Sequence, residues 1–369
     1  MNIKKSNGYG KLLVFFLVAV ILIFAFGLVA DGWQAPIDDN SGNVDGNNES
    51  DEADDDKQTS NNDKKEDDNS LTTKPVPLNK LTGLPIAEGS TEKRHVAFIM
   101  DTASPLYGVS GADVIVEFPV ENGKTRLAVI KSDISELGKI GSIAHTKKYI
   151  SNVAAFFDSA LVYSRLEGNR DYDSLDVSTS ALDLSAKKGY HYTEYSEYAY
   201  SNGGLITAGL AASNIDTLTH SPTLPFVFSE SDTIHGSVTA KAITLPFSDG
   251  LETELIFRET DKMYTFLKGG SVKQDLLSCE SISVKNVFIL FADAVTYEDK
   301  FGCEMILDTL GSGSGYYVSN GVSVDILWSV GEDGNLSFST VDGSPLTVNK
   351  GSSYIGYVKA SMTDEVTLN

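Results

Sequence analysis

The residues whose types and spacing could do chemistry concentrate between positions 101 and 147. Asp101, Asp113, Glu117, Glu121 and Arg126 form the first group. In a strand running from Asp113 to Phe118, residues 113, 115 and 117 share one face, so two carboxylates point the same way while Val114, Val116 and Phe118 turn to a core. Paired carboxylates can perform acid-base work or hold a cation. They can equally be solvated or make a structural ion pair with Arg126, which is the favoured reading. His145 and Lys147 add a titratable ring and a cation nearby, and His191 sits in a tyrosine-rich run from Tyr190 to Tyr200. Flat phenol rings at that density suit sugar or peptide recognition, and they also suit the edge of a core. These eight residues are the candidate ligand-binding set, and no catalytic residue is assigned.

Familiar reaction signatures are missing. No Gly-x-Ser-x-Gly occurs; the Gly311–Gly315 run has glycine at its middle position and precedes a hairpin, which reads as a flexible turn. The histidines at 95, 145, 191, 220 and 235 have no spacing that would chelate zinc, so neither a metal nor a cofactor is expected. Two cysteines, Cys279 and Cys303, leave a disulfide and two buried free thiols as open alternatives. The formal net charge is −22, of which residues 31–72 contribute −11. Even the remainder is acidic, which disfavours nucleic acid and anionic headgroups as charge partners.

The elements that position these residues follow from patterning. Lys4, Lys5 and Lys11 precede an uncharged apolar stretch from Leu12 to Ala30, close to what a helix needs to cross a bilayer about 30 Å thick. This segment predicts a single N-terminal membrane anchor with everything from Asp31 onward outside the cytoplasm; secretion after cleavage near Ala30 is the alternative. Residues 31–74 are too polar and too acidic to bury a core and read as a disordered linker. The folded part is expected to be α+β, with a mixed sheet-plus-helix domain over 75–232 and an antiparallel all-β domain over 233–369. Strands are predicted over 95–100, 113–118, 126–130 and 160–163, with helices over 147–159 and 205–213. Beyond His235 the helical signal vanishes, and Asn320-Gly321 is the strongest hairpin signal in the chain.

A family resemblance covers residues 78–360. Leu78-Asn-Lys-Leu-Thr-Gly-Leu-Pro-Ile86, Val96-Ala-Phe-Ile-Met-Asp101, Gly111-Ala-Asp-Val-Ile-Val-Glu117 leading to Glu121-Asn-Gly-Lys-Thr-Arg126, and Ile140-Gly141 before Tyr149 resemble the YerB-like family of Firmicute envelope lipoproteins. Ile243-Thr-Leu-Pro-Phe247, Asn286-Val-Phe-Ile-Leu290, Gly311-Ser-Gly-Ser-Gly-Tyr316, Gly321 and Trp328 follow in the order of that family's C-terminal domain. The resemblance implies an exported, membrane-tethered Gram-positive protein with two domains of unassigned activity. This chain departs from it in three places. Where the family carries Gly-Pro-Val-Arg-Ser-Ala-Arg, this sequence reads Gly141-Ser-Ile-Ala144-His145-Thr146-Lys147, so the first arginine is Ala144 and the second is a lysine without the planar two-point fork. The family's Asp-Asn-His is Asp101-Thr102-Ala103, and no lipid-accepting cysteine follows the apolar segment.

The expected role is therefore binding or scaffolding in the cell envelope, with a wall component or an envelope protein as partner and the membrane held through residues 12–30. The alternative is an enzyme acting on a phosphorylated or glycosidic envelope precursor.

Overall fold

Uninterrupted apolar runs become strands covered on both faces. The structure, a computed structural model, describes residues 76–86, 93–165, 180–193, 198–218, 223–248, 250–299 and 302–369. The anchor expected at 12–30 and the linker over 31–74 lie outside these residues. Among the described residues no helix is long and apolar enough to cross a membrane.

The first half supplies β1 (His95–Asp101), β2 (Val114–Pro119), β3 (Thr125–Lys131), β4 (Ile140–Ile143), β5 (Ser159–Tyr163), β6 (Ala181–Asp183), β7 (Tyr192–Thr193), β8 (Ala199–Ser201) and β9 (Val227–Phe228). Next come β10 (Val238–Thr239), β11 (Ala242–Ser248), β12 (Leu251–Arg258), β13 (Met263–Lys268), β14 (Ser271–Val272), β15 (Ser283–Val284) and β16 (Asn286–Ala292). The rest are β17 (Ala294–Asp299), β18 (Gly302–Leu307), β19 (Ser312–Ser319), β20 (Val322–Val330), β21 (Leu336–Thr340), β22 (Thr347–Val348), β23 (Ser353–Lys359) and β24 (Thr367–Leu368). Among the described residues three α-helices, α1 (Lys148–Ser151), α2 (Val153–Phe156) and α3 (Gly203–Ala212), and a 3-10 helix over Ala360–Glu365 interrupt them.

The architecture is β-rich, and one central sheet runs through both halves of the sequence in the order β10-β20-β19-β16-β23-β2-β3-β1-β4-β8-β7. The position near 232 expected to divide two domains is thus no break in the sheet, and Thr72–Asn369 form one compact unit. Nor is the second half purely antiparallel. Strand β23 runs parallel to both neighbours, β16 and β2. The edge of β1 opposite β3 divides, with β5 pairing in parallel along His95–Phe98 and β4 meeting Met100. A second sheet, β14-β13-β12-β11-β24 with β15 on β13, covers one face of the central sheet around Phe98, Leu127, Val129 and Tyr354. The other face packs Ile99, Val116, Phe118 and Tyr357 against Tyr149, Ile150 and Val153.

Two local expectations change. The helix predicted over 147–159 is two single turns, α1 and α2. Neither has a side-chain N-cap, the Ser151 hydroxyl bonds back to the Lys148 carbonyl at 2.7 Å, and the Asn152 amide is taken by Thr309 at 2.9 Å. Helix α3, by contrast, has its cap, with the Asn202 side chain accepting from the Leu205 N–H at 2.9 Å. The glycine run at 311–315 is also not a loose turn, because Ser312–Ser319 is strand β19. A Cβ at Gly315 would collide with the Ile289 carbonyl oxygen and one at Gly313 with that of Phe291, so these glycines let two backbones approach. The Asn320-Gly321 hairpin forms as expected between β19 and β20, with φ of 55° and 81°.

Candidate functional site

The end of the central sheet at the β2–β3 turn gathers most of the charged candidates. Asp101 closes β1, and its register partner across the ladder is Arg126 near the start of β3, which also faces Phe118. Arg126 Nη1 donates to Asp101 Oδ2 at 3.0 Å. The same carboxylate accepts from the Tyr198 hydroxyl at 3.0 Å and, on Oδ1, from the Ala103 N–H at 2.8 Å. Asp101 is only 1% exposed and needs all three donors, since a buried carboxylate without partners is strongly disfavoured. The expected structural ion pair is real, but its acid is Asp101. Arg126 Nε is buried and has no hydrogen-bond partner.

Glu121 lies in the turn beyond the Pro119–Thr125 pair and meets Lys147 across a 2.9 Å salt bridge, its Oε1 also accepting the Met305 N–H at 2.6 Å. Both side chains are about nine-tenths buried. This pair borders a cavity of about 410 Å³ between α1 and the β17–β18 ribbon. Lys147, Lys148, Tyr149 and Asn152 form one wall, and Val295 with Glu304–Leu310 forms the other. Much of the lining is apolar, and the volume suits a small ligand or part of a larger one. Val295 and Leu310 remain largely exposed at its rim.

The remaining candidates go elsewhere. Asp113 and Glu117 do not form a carboxylate pair. Asp113 precedes β2 and accepts the Asn79 amide at 2.8 Å and the Ser132 N–H at 2.6 Å, beside a second cavity of about 810 Å³. Four residues on, roughly 13 Å along the strand, Glu117 is buried between the two sheets. Lys268 Nζ donates to its Oε1 at 2.6 Å, while Thr253 at 2.9 Å and Tyr354 at 2.6 Å both donate to Oε2. Burial and the adjacent Glu117 carboxylate push the Tyr354 phenol well above its usual pKa, so it stays protonated as a donor. The two faces expected to differ, one apolar and one acidic, are in fact both interior. His145 is half-buried after β4 and His191 half-buried before β7, with its Nδ1 enclosed and unpartnered. The tyrosine-rich run splits: Tyr192 stacks on Tyr200 with centroids 6.2 Å apart, Tyr200 is buried, and residues 194–197 lie outside the described residues.

Three important residues carried no local sequence signal, Lys268, Tyr354 and Asp275, whereas Tyr198 stood in the tyrosine-rich run without being singled out. Asp275 is 1% exposed and knits loop 108–110 to loop 275–277, accepting from Gly108 N at 3.0 Å, Leu277 N at 2.8 Å and Ser110 N at 2.7 Å. Burial alone would raise its pKa, but the amide donors outweigh that and hold it below the ordinary carboxylate value. Lys131 is buried beside it and its pKa is lowered by that burial, against the raising effect of Asp113 and Asp275. Cys279 and Cys303 are both free and exposed, which settles against a disulfide and against buried thiols. No cluster of three or more His, Cys, Asp or Glu able to hold a metal occurs among the described residues.

A β-rich chain with a shared central sheet, a divided β1 edge and a cavity bordered by a buried ion pair has a family. Residues 81–212 match the N-terminal domain, and residues 243–355 the C-terminal domain, of a protein of unknown function (DUF3048). The chain belongs to this YerB-like, two-domain family of unknown function. It is similar in fold to the crystal structure of the YerB protein from Bacillus subtilis, with a TM-score of 0.67 and 19% identity, covering 79% of this chain and 99% of that one. No curated protein matches the chain.

Proposed function

We propose that this protein is a binding or scaffolding protein of the cell envelope, held to the membrane through residues 12–30 and spaced from it by the acidic segment 31–74. Its ligand, a wall component or the segment of an envelope protein, seats in the cavity between α1 and the β17–β18 ribbon. One observation supports this reading above others. A ligand-sized, largely apolar cavity lies beside Glu121 and Lys147, and those charges already satisfy each other. Groups so engaged favour recognition by shape over proton transfer, which needs a group free to exchange its proton with substrate. Nothing in the N-terminal stretch beyond its basic start and apolar run is needed for the tether.

A second reading, an enzyme acting on a phosphorylated or glycosidic envelope precursor, has Arg126 in its favour. That side chain commits Nη1 to Asp101 and leaves Nε without a partner. Loss of turnover in Asp101→Ala or Arg126→Ala protein that still unfolds cooperatively would establish it.

The binding reading is tested by thermal unfolding of the full chain in detergent, with and without soluble wall fragments, and by photo-crosslinking from position 310 in cells. A ligand at 100 times its dissociation constant contributes about 2.7 kcal/mol. That corresponds to a midpoint rise of roughly 5–10 °C, which Leu310→Arg should abolish without moving the ligand-free midpoint. No shift with wall fragments together with no crosslinked protein would refute it.

A further inference from the structure

The Glu117 site between the sheets holds the components of a covalent link. Of the lysine–carboxylate pairs among the described residues it is the most enclosed, with side-chain exposures of 6% for Lys268 and 0% for Glu117. The Lys147–Glu121 pair stands at 10% and 12%, and the remaining pairs of this kind are more open. Lys268 Nζ lies 2.6 Å from Glu117 Oε1, which puts it within about 3–3.5 Å of the carboxyl carbon, the separation of a near-attack arrangement. The ring of Phe247 lies 4.6 Å from Nζ, and Phe266 and Tyr354 pack against each other beside it. Such surroundings keep bulk water away from both groups, which favours a condensation that releases water.

The other carboxyl oxygen is already provided for. Tyr354 and Thr253 both donate to Oε2, where negative charge would gather if the carboxyl carbon were attacked. Thr253 also accepts from Lys268 Nζ at 2.8 Å, which holds the amine in line with the acid. Burying an ion pair costs desolvation that a neutral amide in the same place would not incur.

We propose that Lys268 and Glu117 condense to an intramolecular isopeptide bond, a modification that staples β2 of the central sheet to β13 of the covering sheet. A proton passes from the Lys268 ammonium to Oε1, giving a neutral amine and a neutral carboxylic acid. The Nζ lone pair attacks the carboxyl carbon to form the C–N bond, with Oε2 held by Tyr354 and Thr253. The C–Oε1 bond then breaks, and that oxygen leaves as water with its own proton and one more from Nζ. The product is a secondary amide and one water, with no oxidant, cofactor or second protein required.

Peptide mapping of the purified full chain decides it. After denaturation, trypsin cuts an unlinked chain following Arg94, Lys124, Lys262, Lys268 and Lys273. The proposal expects cleavage at Lys268 to be lost and a branched species to appear, joining residues 95–124 to residues 263–273 and lighter than their sum by one water beyond ordinary hydrolysis. Lys268→Arg keeps a cation but cannot condense in this way, so the branched species must vanish there. Tyr354→Phe removes a donor from Oε2 and should lower the linked fraction at a fixed time after synthesis. Recovery of separate peptides 95–124, 263–268 and 269–273 from cooperatively folding wild-type protein overturns the proposal even if every variant fails to fold. A branched species joined at another residue pair overturns it equally.

Discussion

Replacing Asp275 by asparagine should loosen the joint between loops 108–110 and 275–277 by an amount that depends on pH. The wild-type carboxylate takes three backbone N–H groups, from Gly108, Ser110 and Leu277. An asparagine oxygen can keep the two on Oδ1, but its NH₂ then turns donors toward the Ser110 N–H, which loses its acceptor. One partly enclosed amide without a partner, plus two bonds reduced from charge-assisted to neutral, is about 2–4 kcal/mol at pH 7. Lys131 adds to this, because its ammonium is already disfavoured by burial and loses one of the two carboxylates that support it. Thermal unfolding of the full chain, followed by circular dichroism, should show a midpoint roughly 4–12 °C lower for Asp275→Asn. The pH dependence has a definite sign. The folded pKa of Asp275 lies below the ordinary carboxylate value, so its contribution is complete above an unfolded value of about 3.9 and fades as pH falls through the lower, folded value. Asparagine does not titrate, and the gap between wild type and variant should therefore narrow in acid. A gap under about 1 kcal/mol at pH 7, or one as wide at pH 2 as at pH 7, would refute the reasoning.

Two further outcomes follow from the packing. Arg126→Met leaves the Asp101 carboxylate buried with Tyr198 and Ala103 alone, which should cost about 3–5 kcal/mol, and adding Asp101→Asn should restore part of it; strictly additive values in urea unfolding would show that the pair is not coupled. Gly315→Ala forces a methyl against the Ile289 carbonyl and should cost at least about 1–3 kcal/mol, whereas Gly138→Ala, which meets nothing within 4 Å, should stay within about 0.5 kcal/mol; equal effects at the two positions would contradict the close approach of β16 and β19.

How far the fold was legible in the sequence depended on whether the signal was local. The runs 95–100 and 126–130 became β1 and β3 because unbroken, largely apolar residues suit a strand covered on both faces. Asn320-Gly321 set its own hairpin, since both residues accept positive φ. The helix over 147–159 failed because periodicity is blind to Ser151 and Asn152 directing their side chains to other partners. At the site, Asp101, Arg126, Glu121 and Lys147 stand out in the sequence, but the Glu121–Lys147 pairing and the donors from Tyr198 and the Met305 N–H come from distant segments and leave no local signal. Asp113 and Glu117 share a face by alternation, yet one ends at a cavity rim and the other between sheets. Lys268 closes a strand just before Gly269-Gly270, where a lysine is ordinarily solvent-facing, and only the sheet stacked across it makes it interior.

The parallel placement of β23 carries the larger consequence. Residues 353–359, close to the C-terminus, lie between β16 and β2, so they supply hydrogen bonds to β2 that the N-terminal family segment cannot supply to itself. A fragment ending with the N-terminal match at residue 212 would leave the β2 edge bare and apolar, and such an edge invites pairing with other chains. The covering sheet adds a second dependence, because Glu117 on β2 would face solvent-filled space without Thr253, Lys268 and Tyr354 from the far half. Its burial is therefore a property of the whole chain. The two segments recognised as separate family domains are halves of one folding problem, and the cavity between α1 and the β17–β18 ribbon exists only when both are present, since each half contributes one of its walls.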